Sequence, residues 1–453
     1  MLYSTRWLAT IFPNNEGKIS DNQIIESVSI DSRNIEGRTL FVPIVGENFN
    51  GHDFVEDAIT KGAIAFFWDK SYDLPVNIPN DVAIFYVNDT IDALQLLAKE
   101  HRKKINPFVV GITGSNGKTT TKDIVTAVIN TSFKTYGTKG NFNNHIGLPL
   151  TIVNMPTNTE VLVLEMGMND FGEIEQLSRL AEPDIGIIVN IGESHIEFLK
   201  SREGIAKAKL EIVSGLKEDG YLIVDGDEPL LQHLHEKPCT ITCGYEQNND
   251  VVISNVNQKS LTETTFQLTS GEKYTLPLVG THNVLNASFA IAIGKRLKIK
   301  PKTIQQGLNN LQLTSMRMEF SQGQNGVTII NDAYNASPTS MRAAINIVKQ
   351  LDEYSTKVLV LGDILELGDY GEQFHKDVAK TINRPISAVI TYGELSQIIS
   401  NHVAASSDMI ETEHFTEADQ LIDHLQQYLN EDTVILFKAS RSMYFENLVK
   451  AIQ

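Results

Sequence analysis

The stretch FVVGITGSNGKTTTKDIV, residues 108–125, decides how the rest of the chain is read. An apolar run of strand character enters a turn that contains Gly114 and Gly117, and helix-compatible sequence leaves it. Glycines there permit positive φ and close backbone approach, so successive N–H groups can aim at phosphate oxygens. The positive end of the following helix adds to the attraction. Lys118 is spaced to reach the outer phosphates and the Thr119 hydroxyl to ligate Mg²⁺. Ile112 stands where the first glycine of the eight-residue phosphate loop belongs, so this is a shortened variant. The expected cradle comprises Thr113, Gly114, Ser115, Asn116, Gly117, Lys118, Thr119 and Thr120.

Outward from this loop the chain alternates strand and helix patterns. Residues 1–103 read as a small α/β domain, with short strands near 39–44, 63–68 and 82–87 and helices near 54–61 and 90–104. Residues 104–313 read as the nucleotide domain: loop strand, helix 120–131, a polar segment 137–149, then strands 161–164 and 185–191 and a helix 201–216. A β-rich insert at 251–278 is expected to form hairpins, and a helix at 283–297 restores the α/β pattern. Residues 314–453 alternate again, with strands near 326–331, 357–361, 388–391 and 433–437 and helices near 337–350, 372–382, 417–429 and 444–452. The fold class is therefore α/β in three domains: a small N-terminal domain, a central phosphate-loop domain on a parallel sheet, and a Rossmann-like C-terminal domain without a GxGxxG fingerprint.

At 453 residues and 42% hydrophobic composition, three packed cores are affordable. A net charge of -18 counts against non-specific binding to nucleic acid or an acidic membrane, but not against a small anionic substrate held by local cations. Two cysteines, Cys239 and Cys243, make no disulfide framework and fit a reducing compartment. The N-terminal sequence lacks a signal-peptide pattern, and no apolar run reaches spanning length. A cytoplasmic chain with neither nucleic acid nor membrane as partner is expected.

Ligands of parallel α/β sheets bind at the carboxyl ends of the strands, and several polar residues fall there. Glu165 ends an apolar strand, as a Mg²⁺ ligand or as a cap for the next helix. His195, in GESH, ends the neighbouring strand, as a second metal ligand or a structural hydrogen-bonder. Lys207 and Lys209 lie on a helix suited to packing, where solvated lysines are the plain reading. Arg317 is either a phosphate contact from the third domain or a surface cation. Asn283 and Asn286 suit a base edge, or Asn283 caps its helix. Ser440 and Arg441 suit a carboxylate, or begin the last helix.

Taken together, TGSNGKTT, the Glu165 strand end, GESH, AKAKLE, GTHNVLNA, MRME and NDAYNASP resemble the Mur ligases of peptidoglycan synthesis, with folylpolyglutamate synthases as more distant relatives. The resemblance covers essentially the whole chain. It implies ATP-dependent amide ligation through an acyl phosphate, with GNFNNHIGLPLT, NDAYNASPTSM and KASRSM similar to the members that add D-Ala-D-Ala to UDP-N-acetylmuramoyl-tripeptide. By the same resemblance Thr119 and Glu165 would hold one Mg²⁺ and His195 a second. Lys209 would be carbamylated and supply a metal ligand, with Lys207 as the alternative. Asn283 and Asn286 would meet adenine, Arg317 the phosphates and Asp332 the ribose. Ser32, in DSR, would contact the uridine nucleotide, and Asn143, Asn144, Asn335, Ser440 and Arg441 would surround the peptide substrates. A monomer whose third domain closes onto the second is implied. The competing readings are a ligase of the same superfamily with another acceptor and a regulatory nucleotide switch, the latter without an N-K-x-D guanine-recognition sequence.

Overall fold

Strand Phe108–Thr113 lies between Val161–Glu165 and Ile185–Ile188, parallel to both. All three are buried almost without interruption, which is why they read as continuous Val, Ile and Leu rather than as alternations. The computed structural model describes residues 2–260 and 263–453; Leu261 and Thr262, inside the expected β-rich insert, lie outside the described residues.

These strands are the middle of a nine-stranded sheet. From the edge strand Thr135–Gly137 the order is Val161–Glu165, Phe108–Thr113, Ile185–Ile188, Tyr221–Asp225 and Thr240–Gly244, all parallel. Val251–Ser260 continues parallel, and the hairpin strands Glu263–Leu268 and Lys273–Leu276 then add antiparallel pairs. Val110 and Ile112 share one core with helices Lys118–Ile129, Thr281–Arg296 and Pro301–Asn309. Val109 belongs to the opposite core, with Gly147–Val153 and Glu173–Ala181. The sheet is therefore wound on both faces.

The first domain is a five-stranded sheet in which only Asn15–Gly17 runs antiparallel to its neighbour. Its last helix, Thr90–Ile105, is capped by Asp89 and ties the domain to the centre. His101 Nε2 lies 2.9 Å from the Met155 carbonyl, and Arg102 pairs with Glu182 at 2.7 Å. Asn154 exchanges two 2.9 Å hydrogen bonds with the backbone of Val28. The third domain is a six-stranded sheet in the order Glu319–Gln322, Thr328–Asn331, Thr433–Lys438, Thr356–Gly362, Ala388–Tyr392 and Glu411–Phe415, parallel except for the first pair.

Several elements depart from the sequence reading. The segment 137–149 is not all loop: Gly147–Val153 is a fully buried helix, with Pro149 in its first turn, where a missing N–H costs nothing. The expected helix 201–216 is α-helical only over Arg202–Leu210 and tightens to a 3₁₀ turn over Glu211–Gly215. There the Ser178 hydroxyl donates to the Ile212 carbonyl and accepts the Gly215 N–H, replacing helical partners. Helix Gln397–Ser406 and strand Glu411–Phe415 went unread because the strand is a half-exposed, polar edge.

Candidate active site

Gly117 has φ +75° and directly precedes the helix, which starts at Lys118 rather than at residue 120. A Cβ there would lie 3.2 Å from the Asn286 amide nitrogen and 3.3 Å from Val189, so conformation and space both call for glycine. Gly114 has a different reason: its backbone is nearly extended, but a Cβ would sit 2.8 Å from that of Val189. The loop is held from behind, with the Asn116 N–H on Asn190 Oδ1 and the Gly192 N–H on Ser115 Oγ, both at 2.9 Å. Thr113 is wholly buried, and its hydroxyl, like the Asn116 amide nitrogen, has no hydrogen-bond partner among the described residues. Lys118 turns its Nζ back onto the Gly114 carbonyl at 2.8 Å. Burial lowers its pKa, opposed by Glu165 and reinforced by Arg317.

Glu165 is only 3% exposed and both its oxygens are occupied. The Thr119 hydroxyl donates to Oε2 and the Asn143 amide to Oε1, each at 2.9 Å. The capping alternative fails, because the N–H groups of Gly172 and Glu175 at the start of helix Glu173–Ala181 go to the Glu211 carboxylate, not to Glu165. The two lysines of AKAKLE separate cleanly. Lys207 is exposed, its ammonium 5.6 Å from the centre of the Phe171 ring. Lys209 is 1% exposed and makes no hydrogen bond or ion pair among the described residues. Burial, and then the neighbouring Lys118, push its pKa well below that of an ordinary lysine.

The third domain completes the cleft. Arg317 Nη2 donates to Thr119 Oγ1 at 3.2 Å, while its guanidinium stacks 4.0 Å over the Tyr334 ring. The Ser337 hydroxyl donates to Asn116 Oδ1 at 2.8 Å, and Glu193 receives Thr339 and Arg342. His195 Nδ1 lies 2.7 Å from Glu366 Oε2, close but off hydrogen-bond alignment, and both residues have positive φ. His195, and more weakly Lys118, hold the Glu366 carboxyl below its usual pKa against the effect of burial. Asp332 is engaged by Lys438 and by the Met318 N–H.

The result is a cleft of about 630 Å³ lined by Ser115, Asn116, Gly117, Lys118, Thr119, Thr120, Asn143, Asn144, Glu165, His195, Asn283, Asn286, Arg317, Asp332, Asn335 and Arg441, among others. Chain segments more than 300 residues apart thus face one space.

Three family models match in succession: the Mur ligase family, catalytic domain, at residues 24–102; the Mur ligase middle domain at 112–294; and the Mur ligase, glutamate ligase domain, at 316–441. The chain belongs to the Mur ligase family. Among curated relatives, UDP-N-acetylmuramoyl-tripeptide--D-alanyl-D-alanine ligase of Bacillus subtilis (strain 168) is 48% identical over 95% of this chain and 93% of its own. Among solved structures, MurF from Acinetobacter baumannii superposes with a TM-score of 0.85 at 28% identity, covering 99% of this chain and 98% of that one. MurF from Thermotoga maritima, solved in complex with ADP, gives 0.81 at 28% identity, covering 95% and 98%.

In this Mur ligase a second cleft, of about 440 Å³, adjoins the first through His195, Asn335 and Arg441 and adds Glu366 and Ser440. Ser440 Oγ accepts the Leu365 N–H at 2.9 Å, and Arg441 pairs with Glu446 at 2.8 Å. Asn283 does not cap its helix, which Gly280 precedes. It is the third helical residue, and its amide donates to the Val279 carbonyl at 2.8 Å. Asn144 is an N-terminal staple for helix Gly147–Val153, accepting from Ile146 and Gly147. Ser32 is buried in the first domain and lines neither cleft. Sequence reasoning missed Tyr334, Lys438 and Glu366, which stand at or just beyond the carboxyl ends of the strands Thr328–Asn331, Thr433–Lys438 and Thr356–Gly362.

Proposed function

We propose that this Mur ligase joins D-alanyl-D-alanine to UDP-N-acetylmuramoyl-tripeptide, as a cytoplasmic monomer, with ATP converted to ADP and phosphate. The names of its relatives support the substrates. The observation that carries the chemistry is the convergence of Lys118, Thr119, Glu165 and Arg317, from two domains, on one cleft. The tripeptide carboxylate attacks the γ-phosphorus and ADP leaves. The dipeptide amine then attacks the acyl phosphate, and inorganic phosphate leaves as the amide forms. Both steps depend on alignment and on neutralising anionic oxygens more than on covalent help.

The loop amides, Lys118 and Arg317 would hold the triphosphate in line. Asn283 and Asn286 would meet the adenine, Asp332 the ribose, and Ser32 the uridine nucleotide. Asn143, Asn144, Asn335, Ser440 and Arg441 would border the peptides. Thr119 and Glu165 are hard oxygen donors that suit one Mg²⁺, with His195 toward a second; Mg²⁺, when bound, supplies positive charge to the phosphate oxygens. Lys209 suits conversion to a carbamate. A neutral amine is the form that adds to CO₂, losing one proton and leaving an oxygen donor, and burial favours that form in Lys209.

The experiment is phosphate release with UDP-tripeptide and ATP, with and without D-Ala-D-Ala. Turnover should require the dipeptide. Equal turnover with L-lysine or glutamate in its place overturns the substrate assignment.

A further inference from the structure

Thr119, Lys122 and Asp123 share one face of helix Lys118–Ile129, at positions i, i+3 and i+4. The segment entering the third domain runs back along this face. Thr314 donates its N–H to Asp123 Oδ2 at 2.8 Å and its hydroxyl to Oδ1 at 3.3 Å. Three residues later and one helical turn nearer the phosphate loop, Arg317 meets Thr119. Lys122 closes the arrangement: its Nζ lies 2.7 Å from Asp123 Oδ1, 3.2 Å from the Thr138 carbonyl and 3.4 Å from Thr314 Oγ1. The Lys122 and Asp123 side chains are only 8% and 9% exposed, and neither they nor Thr314 line the reaction cleft.

We infer that Lys122, Asp123 and Thr314 form a clasp that positions Arg317 on the phosphate loop. The inference rests on the reading of Arg317 as a phosphate contact and adds what places it. Three residues of chain span at most roughly 10 Å, so fixing Thr314 confines where Arg317 can act. Met316 and Met318, on either side of Arg317, have φ of +61° and +48°, a conformation such residues keep only when held from both ends. The far end is held by the Met318 N–H on Asp332 and by the Tyr334 N–H on the Met316 carbonyl. The clasp holds the near end. These are positioning residues, acting through Arg317 rather than on substrate.

The test is a double-mutant cycle on the full-length enzyme with kcat, each KM and the melting temperature measured: Lys122→Met, Thr314→Val, Arg317→Ala and the two combinations with Arg317→Ala. Lys122→Met should lower kcat about 10- to 100-fold, the scale of a misplaced reacting group, with the KM for UDP-tripeptide within about 2-fold. Thr314→Val should lose less in the same direction, and Lys122→Arg should recover part of the loss. Neither variant should cost anything further once Arg317 is alanine. Losses that add to that of Arg317→Ala, or an unchanged kcat, overturn the clasp. If Lys122→Met fails to fold, Thr314→Val decides by the same two criteria. An Arg317→Ala enzyme of normal activity overturns the role of Arg317 itself and the clasp with it.

Discussion

Replacing Lys209 with methionine should move activity and stability in opposite directions. Lys209 is 1% exposed, without an ion-pair partner among the described residues, and its pKa is pushed far down by burial and then by Lys118. Burying an amine without a partner disfavours its charged form and leaves a polar group unsatisfied, a cost that the native state carries. Methionine fills nearly the same unbranched volume without that penalty, so the variant should gain about 1–3 kcal/mol, the scale of one unsatisfied buried polar group. The sign with pH follows from linkage. Between its lowered folded pKa and the ordinary lysine value near 10 the unfolded chain binds a proton that the folded lysine does not, so wild-type stability rises with pH across that window while the variant lacks this slope. The gain therefore shrinks from pH 7 to pH 9. Catalysis should fall about 10²- to 10³-fold, as when a preorganised charge-stabilising group is removed. The assay pairs urea unfolding at both pH values, without divalent cations and in CO₂-free buffer, with phosphate release at saturating substrates. In the Lys209→Ala enzyme, acetate should restore part of the rate by occupying the vacated space with an oxygen donor. A methionine variant that loses stability in step with activity makes Lys209 an ordinary core residue and refutes the reasoning; so does one that keeps its activity.

Gly117→Ala should cost about 1–2 kcal/mol for its left-handed backbone, with added crowding against Asn286 and Val189, and should raise the KM for ATP; thermal unfolding and nucleotide titration check both. Asp225, whose carboxyl is raised to about 7 by burial, opposed by the Asp227 N–H and reinforced by the Asp227 and Glu228 charges, keeps in the fold a proton that the unfolded chain releases near pH 4. Stability from this group is present below pH 4 and lost as pH rises through 7, so Asp225→Asn should match wild type in acid and exceed it at pH 8 by at most about 4 kcal/mol. Urea titrations across pH 4 to 8 with parallel curves for the two proteins would rule this out.

Much of the architecture was legible because buried parallel strands leave an unambiguous trace. Runs such as Val161–Glu165 are apolar on both faces, and polar, glycine-bearing loops follow where they stop. That is enough to mark the phosphate loop, Glu165 and the GESH turn as lying at one sheet edge. Local chemistry also marked Lys118 and Thr119, whose roles follow from spacing within one turn. Edge elements were harder. Glu411–Phe415 carries too many polar residues to read as a strand, and Gly147–Val153 conceals a buried helix behind a glycine and a proline.

What the sequence determined by itself was the local grammar: which stretches are strands buried on both faces, where the chain turns to expose backbone N–H groups, and which loops share an edge. Which side chains meet was decided only by tertiary structure. Nothing along the chain distinguishes Lys209 from Lys207, because a helix two residues on turns through some 200°, and only the packed neighbours say which side is dry. Nor does anything local pair His195 with Glu366 or Asp123 with Thr314, contacts between loops and segments of different domains. Periodicity reports the face a residue turns to its own element, whereas these partners are chosen by strand order and by how one domain sits against the next.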